Sequence, residues 1–142
     1  MKNYRFSMSL RIWHPCYDPE FISSKIEMEP KHAWKANTPR RSPDGHFVEG
    51  VYDSTYCSFP LNDSSDVSLP VYIKKCSRSL YRHKDFFHDI RASGGRVEYF
   101  IGLFLQNDSG ETFDVTLLKD LADLQIELGL CLYLPESNTE LL

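Results

Sequence analysis

The sequence lacks the short motifs that mark common active sites and cofactor sites. It contains no P-loop, no G-x-G-x-x-G fingerprint, no G-x-S-x-G elbow and no H-E-x-x-H zinc motif. Its four cysteines form no C-x-x-C pair, so the ligand spacing of a structural zinc site is also missing. We therefore expect free thiols, no metal site and no cofactor, and catalysis is disfavoured.

Long apolar runs and an excess of positive charge are missing as well. No run approaches the roughly 20 apolar residues that a transmembrane helix needs, and residues 1–5 lead into an alternating segment, not into a signal-peptide core. Nucleic acid and anionic membranes attract basic proteins, whereas this chain has a formal net charge of -4. These absences predict a cytoplasmic protein without membrane contact and argue against nucleic acid as a partner.

The chain has enough apolar residues to form the core of one globular domain. It has 142 residues, of which 42% are hydrophobic and 25% charged, and single cores are commonly built from about 100–150 residues. We assign residues 1–135 to a single α+β domain and expect residues 136–142 to form a frayed C-terminal tail.

The first third of the chain gives the clearest local patterns. Apolar and polar side chains alternate over residues 4–12, which predicts a strand with one buried and one solvated face. Asp18 before Pro19 predicts the start of a helix, and Pro30 predicts its end. The apolar set expected to be buried comprises Tyr4, Phe6, Met8, Leu10 and Ile12, opposite Arg5, Ser7 and Arg11.

The remaining segments complete the fold prediction. In order they are a long loop over 31–50, a strand over 51–61, helix over 69–92, a strand over 96–105, a short helix at 117–124 capped by Asp114 or Thr116, and a last strand over 128–134. Whether residues 69–92 form one helix or two, with a break near Tyr81 and Arg82, stays open. This order predicts an α+β fold with a mainly antiparallel four-stranded sheet backed by helices. It is related to the ferredoxin-like plan, with extra helix between strands two and three.

These apolar and turn residues form a pattern that covers nearly the whole chain. It comprises the opening strand, Asp18-Pro19-Glu20, Glu29-Pro30, Trp34-x-x-x-x-Pro39-Arg40 and Leu118-x-x-Leu121-Ala122-x-Leu124…Leu130-x-Leu132-Tyr133. In these segments the chain resembles the bacterial family catalogued as domain of unknown function 4279. It departs from similar proteins at Ala36-Asn37, where a glycine is frequent, and at Tyr56, where a tryptophan is common. The resemblance implies a small bacterial cytoplasmic protein and brings no catalytic residues to transfer.

Candidate catalytic groups have simpler structural explanations. His83 lies on the apolar stripe of the helical region, as a core or boundary histidine does. Cys16 follows His14 closely in sequence, but nucleophile and base pairs are defined by their positions in space. Asp85 and Asp89 share a helical face beside basic residues, which favours solvated ion pairs over acid and base catalysis. We assign no catalytic residue.

Charge is unevenly distributed along the chain. Residues 31–46 carry four Lys or Arg against one acidic residue, while residues 97–142 carry nine acidic residues against Lys119. The basic segment could hold a phosphate or carboxylate, with a tryptophan stacking on a ring or base. Alternatively, the tryptophan closes the edge of the core and the cations stay hydrated. The candidate ligand-binding residues are Lys31, Trp34, Lys35, Arg40 and Arg41.

Two functions are compatible with these patterns. The first is a non-enzymatic protein–protein interaction domain of the immunity or antitoxin kind, whose acidic C-terminal half meets a basic protein partner. The second is an anion- or nucleotide-binding domain, or as a weaker version an enzyme, that uses the basic segment 31–46 to bind a small anionic ligand.

Overall fold

A computed structural model of the chain describes residues 4–61 and 66–135. The predicted frayed tail, residues 136–142, lies outside these described residues. The described strands are β1 (Tyr4–His14), β2 (His32–Trp34), β3 (Pro39–Arg41), β4 (Phe47–Val51), β5 (Thr55–Pro60), β6 (Arg96–Leu105) and β7 (Ile126–Tyr133). The helices are α1 (Pro19–Ile26), α2 (Leu69–Leu80), α3 (Lys84–Ala92) and α4 (Val115–Leu124), and a 3-10 turn, Tyr81–His83, joins α2 to α3.

Helix starts follow the predicted capping residues. Asp18 is extended and Pro19 occupies the first turn of α1, where its missing N–H costs no hydrogen bond. The Asp114 carboxylate accepts a hydrogen bond of 2.9 Å from the backbone N–H of Leu117, which identifies Asp114 as the cap of α4. The end of α1 comes earlier than predicted, because Glu27 adopts a left-handed conformation that stops the helix before Pro30.

The helical region is two helices with a break at the predicted place. The 3-10 turn begins at Tyr81 and separates α2 from α3. The two glycines after α3 act differently. Gly94 has a φ of +102°, the left-handed conformation common after helices. Gly95 passes so close to β1 that a Cβ atom there would lie 2.3 Å from the carbonyl oxygen of Trp13.

The sheet is mixed and has five strands, in the order β2-β5-β1-β6-β7. Strand β1 pairs antiparallel with β5 and β6, and β2 pairs antiparallel with β5, whereas β6 and β7 are parallel. The α+β class is confirmed. The four-stranded sheet is wrong in detail, because β2 adds an edge strand. One split βαβ unit of the ferredoxin-like plan is present, because β1 lies between β5 and β6, the strands that α2 and α3 join. The second unit differs, since β6 and β7, joined by α4, are adjacent and parallel.

The predicted long loop over residues 31–50 is also wrong, since it contains β2 and a hairpin formed by β3 and β4. Every residue of these three strands is exposed, so no alternation of buried and solvated positions existed to reveal them. The strand predicted over 51–61 corresponds to β5, which begins only at Thr55.

The core lies between one face of the sheet and the helices. Four of the five apolar residues predicted to be buried on β1 are buried, and Phe6 is partly buried at its margin. Leu10 and Ile12 face Phe59 and Cys57 of β5 and Tyr99 and Val97 of β6 in the sheet register. Of the three β1 residues predicted to face solvent, Arg5 is exposed, whereas Ser7 and Arg11 are partly buried. The second face of the sheet therefore carries side chains of its own.

Candidate functional site: the open face of the sheet

Alternation along the strands directs a second set of side chains away from the helices. We call this surface the open face. Its two principal rows run across the strands in register, one through Trp34, Tyr56, Trp13 and Arg96, and the next through His32, Ser58, Arg11, Glu98 and Glu127. Aromatic rings and charged groups therefore lie side by side over the width of the sheet.

The first row is a continuous run of aromatic rings in contact, in which Trp34 is stacked on Tyr56 and Trp13 is tilted against it. The ring centroids of Trp34 and Tyr56 lie 4.5 Å apart, and those of Tyr56 and Trp13 lie 5.4 Å apart. Tyr52, which follows the β3–β4 hairpin, stacks on Trp34 at 4.8 Å with an angle of 12° between the planes. Trp34 is 37% exposed. The run thus ends on an indole that two tyrosines hold in place and that solvent still reaches.

Two arginines lie over this aromatic layer. The Arg96 guanidinium carbon is 4.0 Å from the centre of the Trp13 ring. That of Arg11 is 4.1 Å from the Phe100 ring and 4.9 Å from Trp13. Cation–π contacts of this kind fix the orientation of a planar guanidinium. Both arginines are therefore ordered before any partner arrives.

Glu98 connects the two arginines. Its Oε1 accepts a hydrogen bond of 2.8 Å from Arg11 Nε, and its Oε2 lies 3.3 Å from a terminal nitrogen of Arg96. Arg96 also donates to Glu127 at 3.0 Å. The carboxylate of Glu98 is almost fully covered, and it fits because β7 has Gly129 beside it: a Cβ at Gly129 would lie 2.6 Å from Glu98 Oε2. The charges on this part of the face are held rigidly by one another.

The far end of the open face carries a second aromatic group. Phe104 and Tyr133 stack with ring centroids 4.7 Å apart, and the Arg5 guanidinium lies 5.2 Å above Phe104. Between the two aromatic groups runs a row of small residues, Ser7, Gly102 and Cys131. The open face thus has an aromatic group at each end and a row of small side chains between them.

The structure does not bring the five predicted ligand-binding residues together. Trp34 belongs to the open face, but Lys35 turns to the other side and forms a 2.9 Å ion pair with Asp18, whose hydrogen bond raises the pKa of Lys35. Arg40 and Arg41 lie on β3 and donate hydrogen bonds to carbonyl groups of their own hairpin at 3.4 and 3.3 Å. Lys31 is exposed, and its backbone N–H bonds to Ser58. Cations that are close in sequence therefore point in different directions.

The acidic C-terminal half is also less acidic in space than in sequence. Glu98 is paired with arginines of β1 and β6, and Glu127 with Arg91 and Arg96. Asp114 caps a helix, and Asp123 pairs with Lys119 at 3.1 Å. Folding thus supplies basic partners from the N-terminal and middle parts of the chain. Among the described residues, Glu98, Asp114, Asp123 and Glu127 are therefore engaged in ion pairs or a helix cap.

His14, at the end of β1, is buried and serves the backbone. Its Nδ1 accepts hydrogen bonds from the N–H groups of Cys16 and Tyr17 at 3.1 and 2.9 Å, so the ring proton sits on Nε2 and is donated to Ser93 Oγ at 2.8 Å. Burial lowers the pKa of His14, and the nearby Asp89 opposes that shift. Because both ring nitrogens are engaged, His14 is not placed to act as a base for Cys16.

The other candidate catalytic groups also have structural roles. His83 is buried, and burial together with Arg82 lowers its pKa. Asp89 accepts a hydrogen bond of 2.7 Å from Tyr17, so it is engaged away from Asp85. Burial raises the pKa of the Cys57 thiol to about 11, which keeps it protonated and unreactive. In residues 4–61 and 66–135 no group of three or more His, Cys, Asp or Glu side chains is placed to hold a metal ion.

The sequence reasoning missed most of the open face. No role in binding is assigned to Trp13, Tyr56 or Phe100 from the sequence, although Trp13 falls in the polar phase of the alternating strand β1. A large aromatic residue in the solvated phase of a strand is the signal that would have drawn attention to this surface. The contacts with Phe100 and Glu98 could not be read locally, because Arg11 and Glu98 are 87 residues apart.

Comparisons with family models, with curated proteins and with solved structures found no match for this chain. Among the helices of the described residues, none combines the length and apolar character needed to cross a membrane.

Proposed function

We propose that this protein is a non-enzymatic protein–protein interaction domain of the immunity or antitoxin kind, and that its partner binds the open face. The observation that carries the proposal is the ordered layer of Trp34, Tyr56, Trp13, Arg11 and Arg96 on the side of the sheet away from the helices. Tryptophan, tyrosine and arginine are the residues most enriched among those that dominate binding energy at protein interfaces.

The order of these side chains supports the same conclusion. Binding is weakened by the entropy lost when mobile side chains become fixed. Here the guanidiniums already lie against rings and carboxylates, and the indole of Trp34 lies against two phenol rings. A partner that covers this face therefore has little side-chain motion left to restrict.

The charges refine the kind of partner. A basic partner for the acidic C-terminal half stays a prediction, but we favour the open face, because Glu98 and Glu127 of that half are paired with arginines. The open face instead combines both signs, and Arg5 adds an exposed positive charge at its far end. We propose a partner with a mixed polar surface that includes carboxylates, and we retain a cytoplasmic location and membership of the family catalogued as domain of unknown function 4279.

Affinity capture tests the proposal. The wild-type chain and a Trp34→Ala, Arg11→Ala variant serve as baits in extracts of the source cell, and each captured protein is purified and titrated against the chain by calorimetry. An Arg78→Ala variant is the matched control, since Arg78 is exposed on α2, among the helices that cover the other face. We expect wild type and control to bind equally and the open-face variant to lose binding. Equal binding by all three would contradict the proposal.

The anion-binding alternative is tested separately by fluorescence. A Trp13→Phe variant leaves Trp34 as the only indole, and polyphosphate or a nucleotide is titrated into it. Because Lys35, Arg40 and Arg41 already have partners, we expect no change in emission. A change that salt weakens and that Arg40→Ala with Arg41→Ala removes would favour anion binding instead.

A further inference from the structure

The two edges of the five-stranded sheet are protected very differently. At one edge β2 has only three residues, and such short edge strands are a common defence against unwanted strand pairing. At the other edge β7 has eight residues. Residues 128–134, which include most of β7 and the residue after it, contain no charged residue and no proline. Long, uncharged edge strands are the ones that pair with another strand.

The side chains of this edge are also unusually apolar for a solvent-exposed position. Leu130 is 48% exposed and Leu132 is 58% exposed, on the same side of the sheet as the helices. Beside them is an open pocket of about 180 Å³ whose apolar lining includes Leu103, Leu105 and Phe113. Burial decreases along the helix side of β7, from buried Ile126 at its start to exposed Leu130 and Leu132.

The backbone of β7 decides what kind of group fits there. Alternate N–H and C=O groups of an edge strand point away from its neighbour, and in residues 4–61 and 66–135 no strand lies beyond β7. An extended chain can satisfy this ladder of donors and acceptors along its whole length and replace the water that otherwise solvates it. The occupant must also be apolar on the helix side and must bring no acidic residue opposite Glu127.

We infer that the occupant is β7 of a second copy of this chain, paired antiparallel about a two-fold axis perpendicular to the sheet. Such an axis keeps the helices of both copies on the same side, so the alternating leucines of one strand pair with those of the other. With Leu130 opposite Leu130 or Leu132 of the second copy, Glu127 faces an uncharged residue, Tyr133 or Pro135. No like charges meet.

The inferred pairing extends the sheet from one copy into the next and leaves the open face uncovered. The inference does not depend on the proposed function, because it concerns a strand edge and the function concerns a sheet face. It also places two open faces side by side on one surface. A partner with repeated elements would then bind both copies at once.

Sedimentation equilibrium of the full chain, from low micromolar to millimolar concentration, tests the inference. We expect a reversible monomer–dimer equilibrium. A Leu130→Lys, Leu132→Lys variant should remain monomeric over the whole range, because lysines on an edge strand oppose pairing. Val115→Lys is the matched control, since Val115 is an exposed apolar residue on α4, and it should dimerise like the wild type. Circular dichroism verifies that each variant is folded.

Hydrogen exchange provides a second readout that needs no variant. Amides of β7 should exchange more slowly as the concentration of wild-type protein rises, whereas those of β2 should not change. A wild-type chain that is monomeric at every concentration would overturn the inference. So would a dimer that survives in the folded double-lysine variant, or a concentration-dependent slowing confined to β2.

Discussion

The two faces of the five-stranded sheet consist of alternate residues of the same strands and differ in composition and burial. The helix-covered face is a layer of aliphatic and aromatic side chains that are almost completely buried, such as Leu10, Phe59 and Ile101. The open face has arginines, glutamates and half-exposed rings, held by ion pairs and stacking. Stability should therefore depend on the first face and binding on the second.

This difference is informative because ordered polar side chains on a solvent-exposed surface contribute little to folding. Exposed ion pairs contribute about 0–1 kcal/mol, whereas burying one large aliphatic side chain contributes about 1.5–3 kcal/mol. Under the proposed function, the fixed rings and guanidiniums of this surface serve binding more than stability. The following substitutions test that division.

The largest effect should come from the helix-covered face. Leu10 is fully buried at the centre of β1, so Leu10→Ala leaves a cavity and should lower the free energy of unfolding by about 2–5 kcal/mol. Chemical denaturation measures it. Ser9→Ala, on the neighbouring position of the same strand but on the open face, is the control and should change stability by less than about 0.5 kcal/mol. Similar losses in both variants would show that the faces are misassigned.

Removing Arg11 should have the next largest effect, because it is the open-face residue that supports a covered charge. Arg11→Ala takes away the 2.8 Å hydrogen bond to Glu98 and should cost about 1–3 kcal/mol, the penalty for leaving a covered polar group poorly partnered. Adding Glu98→Gln should recover part of the loss. Arg5→Ala, which removes only a ring contact at the far end of the face, is the control and should cost less than about 1 kcal/mol.

Trp34→Ala should separate stability from binding. The substitution removes stacking on Tyr52 and Tyr56, and aromatic pairs contribute about 0.5–1.5 kcal/mol beyond their burial. We therefore expect a loss of roughly that size in denaturation, with complete loss of affinity for a partner of the open face. A loss of stability as large as that of Leu10→Ala would identify Trp34 as a core residue and weaken the functional assignment.

The smallest effect should be a loss of stability in acid, caused by two buried histidines, His14 and His83. The pKa values of His14 and His83 are lowered in the folded chain by burial. In acid the unfolded chain therefore binds more protons than the folded chain. The contribution of these histidines to the free energy of unfolding is fully present above the ordinary histidine pKa of 6.5 and declines as the pH falls below it. His14→Gln should flatten this decline, measured by denaturation across pH, and a decline of unchanged steepness in the folded variant would contradict the prediction.

Features with a local cause were predictable from the sequence. The alternation in β1, the start of α1 at Pro19, the cap at Asp114 and the break at Tyr81 all depend on residues within a few positions of one another. Of the candidate site, only Trp34 lies on the open face. The basic segment indicates a common site, but Lys35, which follows β2, pairs with Asp18, and Arg40 and Arg41 donate to carbonyl groups of the β3–β4 hairpin.

By itself, then, the sequence determined the α+β class and the positions of the regular strands and helices, because periodicity and capping are properties of neighbouring residues. Only the tertiary structure decided which strands pair, that residues 32–51 form short exposed strands, and that acidic residues of β6 and β7 meet arginines of β1 and α3. It also explains Gly95, which the sequence marks only as a helix end and which is needed because β1 passes against it. Such contacts join positions dozens of residues apart, and no local pattern records them.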